Sequence, residues 1–592
     1  MTFTTRPELR GDFGMVASTH WIASAAGMGV LERGGNAYDA AVAAGFVLQV
    51  VEPHLNGPGG DLPILHRPAG GAVEVICGQG PAPAAATLEH YLGAGLTRVP
   101  GAGLLATVIP GAFDAWCLML RDRGTRELSD VLAPAIHYAR AGHPLLPGAA
   151  RQIATMEPVF REAWPSSAAV WLQGGRAPAP GEVVRNPDLA ATWERILREA
   201  EGAGSREARI DAARDAFYRG FVAERIGAFM QTEITDATGA RRRGVLTAED
   251  MAGHAARVEA PLAQEHGDWT IHKTGPWGQG PVLHLALNIL REAGVDAAEG
   301  ADVVHLVIEA LKLAMADREA YFGDPDDSEI PLGQLMSRDY AAERAALIGA
   351  EASRAQRPGA IAGLERWAAR AVERAAEVPE QTGGIGTGEP TMGHLGPREG
   401  DTCHLDVVDA AGNVVSATPS GGWLQSSPTV PGLGFAMNSR AQMFWLEEGL
   451  PTSLAPGRRP RTTLSPSLAT RADGTALAFG TPGGDQQDQW QTVFALRLMR
   501  DAGNLQALLD APLFHSVHFQ PSFAPRIAQP GVMLAEPALG EAVIAALRAR
   551  GHEVEVTAPW AIGRLTAAEW APDGWMRAAA TPRLMQAYAV GR

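Results

Sequence analysis

The chain has 592 residues, 46% of them hydrophobic, and carries 66 acidic against 50 basic side chains, a formal net charge of −16. That charge is spread out with no long single-sign run, which argues against a nucleic-acid partner, and no stretch of about 18 apolar residues offers a membrane span. Three cysteines, Cys77, Cys117 and Cys403, form no CxxC pair, so neither a disulfide framework nor a zinc site is expected, and no metal or cofactor is called for. Residues 1–10 lack the apolar core of a signal peptide, and a cytoplasmic location is the expectation.

Gly14–Ser18 reads as a strand, followed by a helix over Ile22–Arg33 that Gly34-Gly35 stops in a left-handed cap. A second helix over Ala40–Val51, with Asp39 as its cap, is alanine-rich enough to lie between layers. Asn56-Gly57-Pro58-Gly59-Gly60-Asp61 is a tight loop where backbone approaches something closely; it is not GxGxxG, and no dinucleotide site is expected. Leu62–His66 and Val73–Cys77 read as paired strands. Apolar residues at helical spacing predict helices over Ala112–Arg121, Leu128–Ala141, Asp188–Ala200, Ala212–Phe229, Val282–Ala293 and Asp302–Phe322. From about 352 to 401 the composition changes: Arg354–Ala376 is polar and arginine-rich, readable as one exposed helix, and Gln381–Glu399 has the glycine and proline density of a flexible segment.

That segment leads into Gly400-Asp401-Thr402-Cys403-His404. Cys403, Leu405 and Val407 alternate with His404 and Asp406, and Gly412-Asn413 turns the chain into Val414–Thr418, a β-hairpin. If the peptide bond before Thr402 is cut, its new α-amine, with an ordinary pKa of about 8, can act as base for its own hydroxyl. A strand-initiating threonine with no chemistry is the plain alternative. Strands are expected at Gly434–Asn438, Ser467–Thr470 and Thr475–Gly480, the last running through Gly483-Gly484 into a helix over Gln489–Ala502. Such a turn offers backbone N–H groups to an oxyanion. His515 and His518 have no second ligand pair and are assigned to strand packing, not to a metal.

These residues together resemble the γ-glutamyltransferase family of N-terminal-nucleophile hydrolases, nearly end to end. The matches include Gly34-Gly35-Asn36-Ala37, Val51-Glu52-Pro53-His54, Ala314-Met315-Ala316-Asp317-Arg318, Gly323-Asp324-Pro325, Thr402-Cys403-His404 and Gly480-Thr481-Pro482-Gly483-Gly484. The resemblance implies an α+β fold, a four-layer αββα sandwich. It implies one precursor that cuts itself between Asp401 and Thr402 into a large subunit, 1–401, and a small catalytic subunit, 402–592, intertwined as one unit, with a dimer of the processed pair left open. By resemblance Thr402 is the nucleophile, Ser420 stands for a threonine that hydrogen-bonds it, Gly483 and Gly484 match the oxyanion-hole glycines, and Thr462 and Thr463 replace a substrate-touching serine pair.

The departures fall on the glutamate clamp. The family's carboxylate-binding arginine falls on Gln79, its ammonium-binding aspartate near Met443, and a helping asparagine on Gly422. Losing two charge-assisted contacts of about 1.5–3 kcal/mol each should cost orders of magnitude in affinity. Trp423, Met443, Phe444 and Trp445 suggest a more apolar acyl pocket, to which Arg440 could supply one positive charge. The expected function is therefore an autoprocessed amide hydrolase or acyltransferase of small molecules whose acyl group is not ordinary γ-glutamyl. A γ-glutamyl hydrolase with a rebuilt clamp, and an uncleaved binding protein, are the alternatives.

Overall fold

A computed structural model describes residues 3–377, 402–501 and 503–592. Two seven-stranded sheets, antiparallel at every pairing, form its centre. The first runs Tyr588–Gly591, Gly14–Ser18, Leu405–Asp409, Val414–Ala417, Leu62–Arg67, Glu74–Gly78, Arg257–Glu259. The second runs Leu9–Gly11, Met576–Ala580, Thr566–Trp570, Ala476–Gly480, Ser467–Thr470, Trp269–Lys273, Leu262–His266. Strands from before and after Thr402 are intermixed in both, Gly14–Ser18 lying between Tyr588–Gly591 and Leu405–Asp409.

The period-two alternation of each strand sorts its side chains into three apolar layers. Met15, Leu65, Val75, Val408 and Val414 meet Leu468, Ala476, Ala478, Ala568 and Ala578 between the sheets. Val16, Ile64, Leu405, Val407 and Val415 point the other way, onto helices Trp21–Glu32, Ala37–Val51 and Ala112–Arg123. Ile271, Ala469, Leu477, Phe479 and Ala567 cover the second sheet's outer face and meet helices Pro281–Glu292, Ala301–Tyr321 and Gln487–Arg500. The order is helix, sheet, sheet, helix, the four-layer αββα sandwich expected. Each fully buried valine or leucine contributes about 1.5–3 kcal/mol to holding it.

Most sequence-based elements stand within a residue or two, and the differences have local causes. The N-cap of Ala37–Val51 is Asn36, which accepts from the Tyr38 and Asp39 amides, while Asp39 closes a capping box as the third helical residue. The helix expected over Ala212–Phe229 is two, Arg206–Tyr218 and Phe221–Met230, parted at Gly220. Gly434–Asn438 makes only isolated bridges, Thr429 to Ala436 and Gly59 to Met437. Arg354–Ala376 is helical only from Glu365, and it is not an exposed face throughout: Ala371 and Arg374 are buried, the latter beside Glu319. The segment Gln381–Glu399 and the residue Asp401 lie outside the described residues. His515 sits in the strand Phe514–Ser516, and His518 accepts the Gly531 amide through Nδ1, as packing residues do.

Candidate active site

Thr402 opens the run into Leu405–Asp409 and is buried, with 1% of its surface exposed. It bridges to Ser420, and the two hydroxyls stand 3.3 Å apart. The Cys403 amide donates to the Pro419 carbonyl at 3.0 Å, which fixes this register. Ser420 in turn exchanges backbone hydrogen bonds with Asp61, 2.8 and 3.0 Å. The glycines before Asp61 allow the approach: a Cβ on Gly60 would run into the Ser420 carbonyl, and one on Gly59 into that of Ala436. Gly421 and Gly422 then turn the chain with φ of 71° and 67°, and a Cβ on Gly422 would lie 2.9 Å from the Gly60 nitrogen. The small residue at 422, where an asparagine is expected from the family, follows from that contact.

Asp61 also makes side-chain contacts. Its Oδ1 accepts from Arg440 Nε at 2.9 Å and its Oδ2 from Thr462 Oγ1 at 3.4 Å. Burial raises the Asp61 pKa, and the Arg440 charge opposes that shift. The Arg440 guanidinium is itself buried, 5.0 Å over the Trp423 ring and 5.6 Å over Phe523. Trp423, Met443 and Phe523 form one apolar cluster, and Trp423 is anchored by Nε1 donating to the Leu55 carbonyl at 2.8 Å. Arg440 Nη1 and Nη2 have no hydrogen-bond partner among the described residues, and neither do Thr463 Oγ1 and Gln79 Oε1. Gln79 sits just past the strand Glu74–Gly78 with its amide on the Gly80 carbonyl; no hydrogen bond among the described residues joins it to Asp61 or Arg440.

The strand Ala476–Gly480 brings the glycine turn to the same end of the sandwich. Gly480 lies against the His404 ring, two residues beyond Thr402. Gly483 and Gly484 then take φ of 130° and 54°, conformations that favour glycine, and a short 3₁₀ turn leads into the helix Gln487–Arg500. Backbone N–H groups ahead of a helix N-terminus are suited to stabilising an oxyanion.

The sequence profile described as Gamma-glutamyltranspeptidase matches residues 23–591. The chain belongs to the gamma-glutamyltranspeptidase family. Acylase ACY 1 proenzyme of Pseudomonas sp. (strain SE83) is 33% identical over 587 residues, covering 96% of this chain and 92% of that protein. Among solved structures, LmbA2991HD is 52% identical with a TM-score of 0.92, covering all of both chains. Cephalosporin acylase from Bacillus halodurans is 28% identical with a TM-score of 0.80, covering 100% and 97%. This member of the gamma-glutamyltranspeptidase family is thus an enzyme of the amide-hydrolysing, acyl-transferring kind, made as a proenzyme.

In this family member Cys403, next to Thr402 in the chain, forms a carboxyl–thiol pair with Glu52. Glu52 Oε2 accepts from Cys403 Sγ at 2.9 Å and from Thr19 Oγ1, and Asn56 Nδ2 donates to Cys403 Sγ at 3.1 Å. Burial, with the Glu52 charge adding to it, pushes the Cys403 thiol well above its ordinary range, so it stays a thiol and is no rival nucleophile. Burial also raises the Glu52 pKa. His20, His54 and His143 are buried close to one another; burial holds His54 down at about 3 and His143 at about 4. No group of three or more His, Cys, Asp or Glu side chains suited to a metal ion occurs among the described residues, and no helix among them is long and apolar enough to cross a membrane.

Asp61 and Phe523 belong to this constellation and were not singled out from the sequence. Asp61 closes the glycine-rich loop that was read as a close-approach point, so the signal was one residue away. Phe523 carried none: it arrives from a distant loop and is placed only by tertiary packing.

Proposed function

We propose that this enzyme cleaves its own chain between Asp401 and Thr402 and then hydrolyses or transfers acyl groups through Thr402. The Thr402 hydroxyl attacks the amide carbonyl, its proton passing to the α-amine that cleavage sets free. The tetrahedral oxyanion rests on the Gly483–Gly484 turn. The carbonyl–nitrogen bond breaks, the amine leaves with that proton, and water or an acceptor amine then takes the acyl group from the ester. Ser420 orients the nucleophile. The observation that carries this reading is the 3.3 Å approach of the Thr402 and Ser420 hydroxyls at the head of a buried strand.

The acyl group lies against Trp423, Met443, Thr462 and Thr463, with Gly422 and Gln79 at its flanks. Arg440 supplies the charge, and its free Nη1 and Nη2 suit an acyl group that ends in a carboxylate. Asp61 is committed to Arg440 and Thr462, and the family's aspartate falls near Met443, so neither of these positions offers a free carboxylate to an ammonium. An acidic acyl group without an α-amine fits better than γ-glutamyl. The test is the intact mass of purified protein beside Thr402→Ala, followed by turnover of amides that share one amine and differ in the acyl end: carboxylate, carboxylate plus ammonium, or methyl. Equal use of the γ-glutamyl and the ammonium-free acid would contradict the pocket assignment.

A further inference from the structure

A cavity of about 270 Å³ adjoins the glycine turn. Gly483 forms part of its wall, with Trp490, Val517, Phe519, Phe523, Ile562 and Leu584 making most of the rest. Phe523 is the partition, since its ring also sits 5.9 Å from Trp423 and beneath Arg440. This wall is tied to the turn: Asp485 accepts from the Ser522 amide at 2.8 Å and from the Ser522 hydroxyl at 2.6 Å.

Two further features distinguish the cavity. Trp490 is 6% exposed and lines the cavity, yet its Nε1 has no hydrogen-bond partner among the described residues. The Nε1 atoms of Trp116, Trp193, Trp269 and Trp570 are in the same state, and of these five rings it is that of Trp490 that lines this cavity. Among the described residues, five non-glycine residues have φ in the left-handed region: Arg526, Trp560, Leu584, Met585 and Ala587. Arg526 and Leu584 line the cavity, and Trp560 and Met585 are chain neighbours of lining residues, so the strained backbone is gathered at this rim. The charged lining is already engaged: Asp485 with Arg318 and Ser522, Arg526 with the Gln442 carbonyl, Arg564 with Gln586 at 2.5 Å.

We propose that this cavity is the leaving-group subsite, which takes a ring-bearing, largely apolar amine and offers Trp490 Nε1–H to an acceptor atom on it. The inference rests on the Thr402 reading: with the amide oxygen on the Gly483–Gly484 turn, the acyl half extends toward Arg440 and the amine half toward the cavity. The amine leaves as the carbonyl–nitrogen bond breaks, with the proton described above.

The probe is 7-amino-4-methylcoumarin, a two-ring amine with a lactone carbonyl, titrated calorimetrically against the processed protein. Saturable one-site binding is expected, weakened about tenfold or more in both Ile562→Trp and Val517→Trp, which fill the cavity from different walls. Trp490→Phe should weaken this amine but not 2-naphthylamine, which lacks the carbonyl. Variants count only if they give the wild-type fragment masses and melting temperature. Absence of saturable binding, or unchanged affinity in both filled variants, overturns the inference while leaving the nucleophile reading untouched. Binding by a protein whose Thr402→Ala variant turns amides over at the wild-type rate would overturn the nucleophile reading and, with it, the leaving-group role.

Discussion

Behind Thr402, between the two sheets, His404, Asp406, Thr418 and Thr566 form a closed network. His404 Nδ1 meets Thr418 Oγ1 at 2.8 Å, Nε2 meets Asp406 Oδ1 at 3.0 Å, and Asp406 Oδ2 accepts from Thr566. In front of it, Arg440, Thr463 and Gln79 keep buried polar atoms without partners. Both regions are buried to a similar degree. An unmet buried group costs about 1–3 kcal/mol, so the open set is a standing penalty that the closed set avoids. The closed network holds the strand that Thr402 leads into, and in the proposed reading the open set is completed by the substrate.

The comparison breaks first if Asp406 is dispensable. Asp406→Ala removes the partner of His404 Nε2 and of Thr566 Oγ1 in the interior and should cost about 3 kcal/mol or more of stability in a urea melt; a loss under about 1 kcal/mol would mean that the network holds nothing. Next comes Arg440→Met. It should lower kcat/KM for a carboxylate-ended amide by about 100-fold, and for its methyl-ended counterpart by far less, as steady-state kinetics would read. Equal losses on both would assign Arg440 to holding Asp61 alone. Thr463→Val removes a hydroxyl that has no partner, so stability should stay within about 0.5 kcal/mol while KM rises about fivefold; a clear drop in stability would show that the hydroxyl is satisfied after all.

The smallest effect is on pH. His20, His54 and His143 are buried with pKa values below the ordinary 6.5. The unfolded chain therefore binds more protons in acid. Their contribution to stability is complete above about pH 6.5 and is lost as pH falls toward 4 to 3, with a slope of up to about 1.4 kcal/mol per pH unit for each histidine. His143→Gln should make the fall of melting temperature over that window shallower by one proton's worth. An unchanged slope would place the acid sensitivity elsewhere.

Much of the fold was legible because its elements are strongly patterned. Cys403, Leu405 and Val407 do share the face toward the helices, with His404 and Asp406 on the other, since alternation along a half-polar strand leaves little choice. The resemblance then supplied the four layers, which no local pattern could. What failed was local and marginal: Gly220 splits a continuous apolar stripe, and Gly434–Asn438 has strand composition but only single bridges to lean on. In the site, Thr402, Ser420 and Asp61 are one contiguous backbone arrangement, whereas Phe523, Trp490 and the cavity they share come together only through packing of segments distant in sequence.

The intact mass of the purified protein under denaturing conditions, beside that of Thr402→Ala, tests the central claim most directly. The account predicts two wild-type fragments that divide the chain between Asp401 and Thr402 and a single full-length chain in the variant. The same masses in both samples, whether whole or cut, would contradict it.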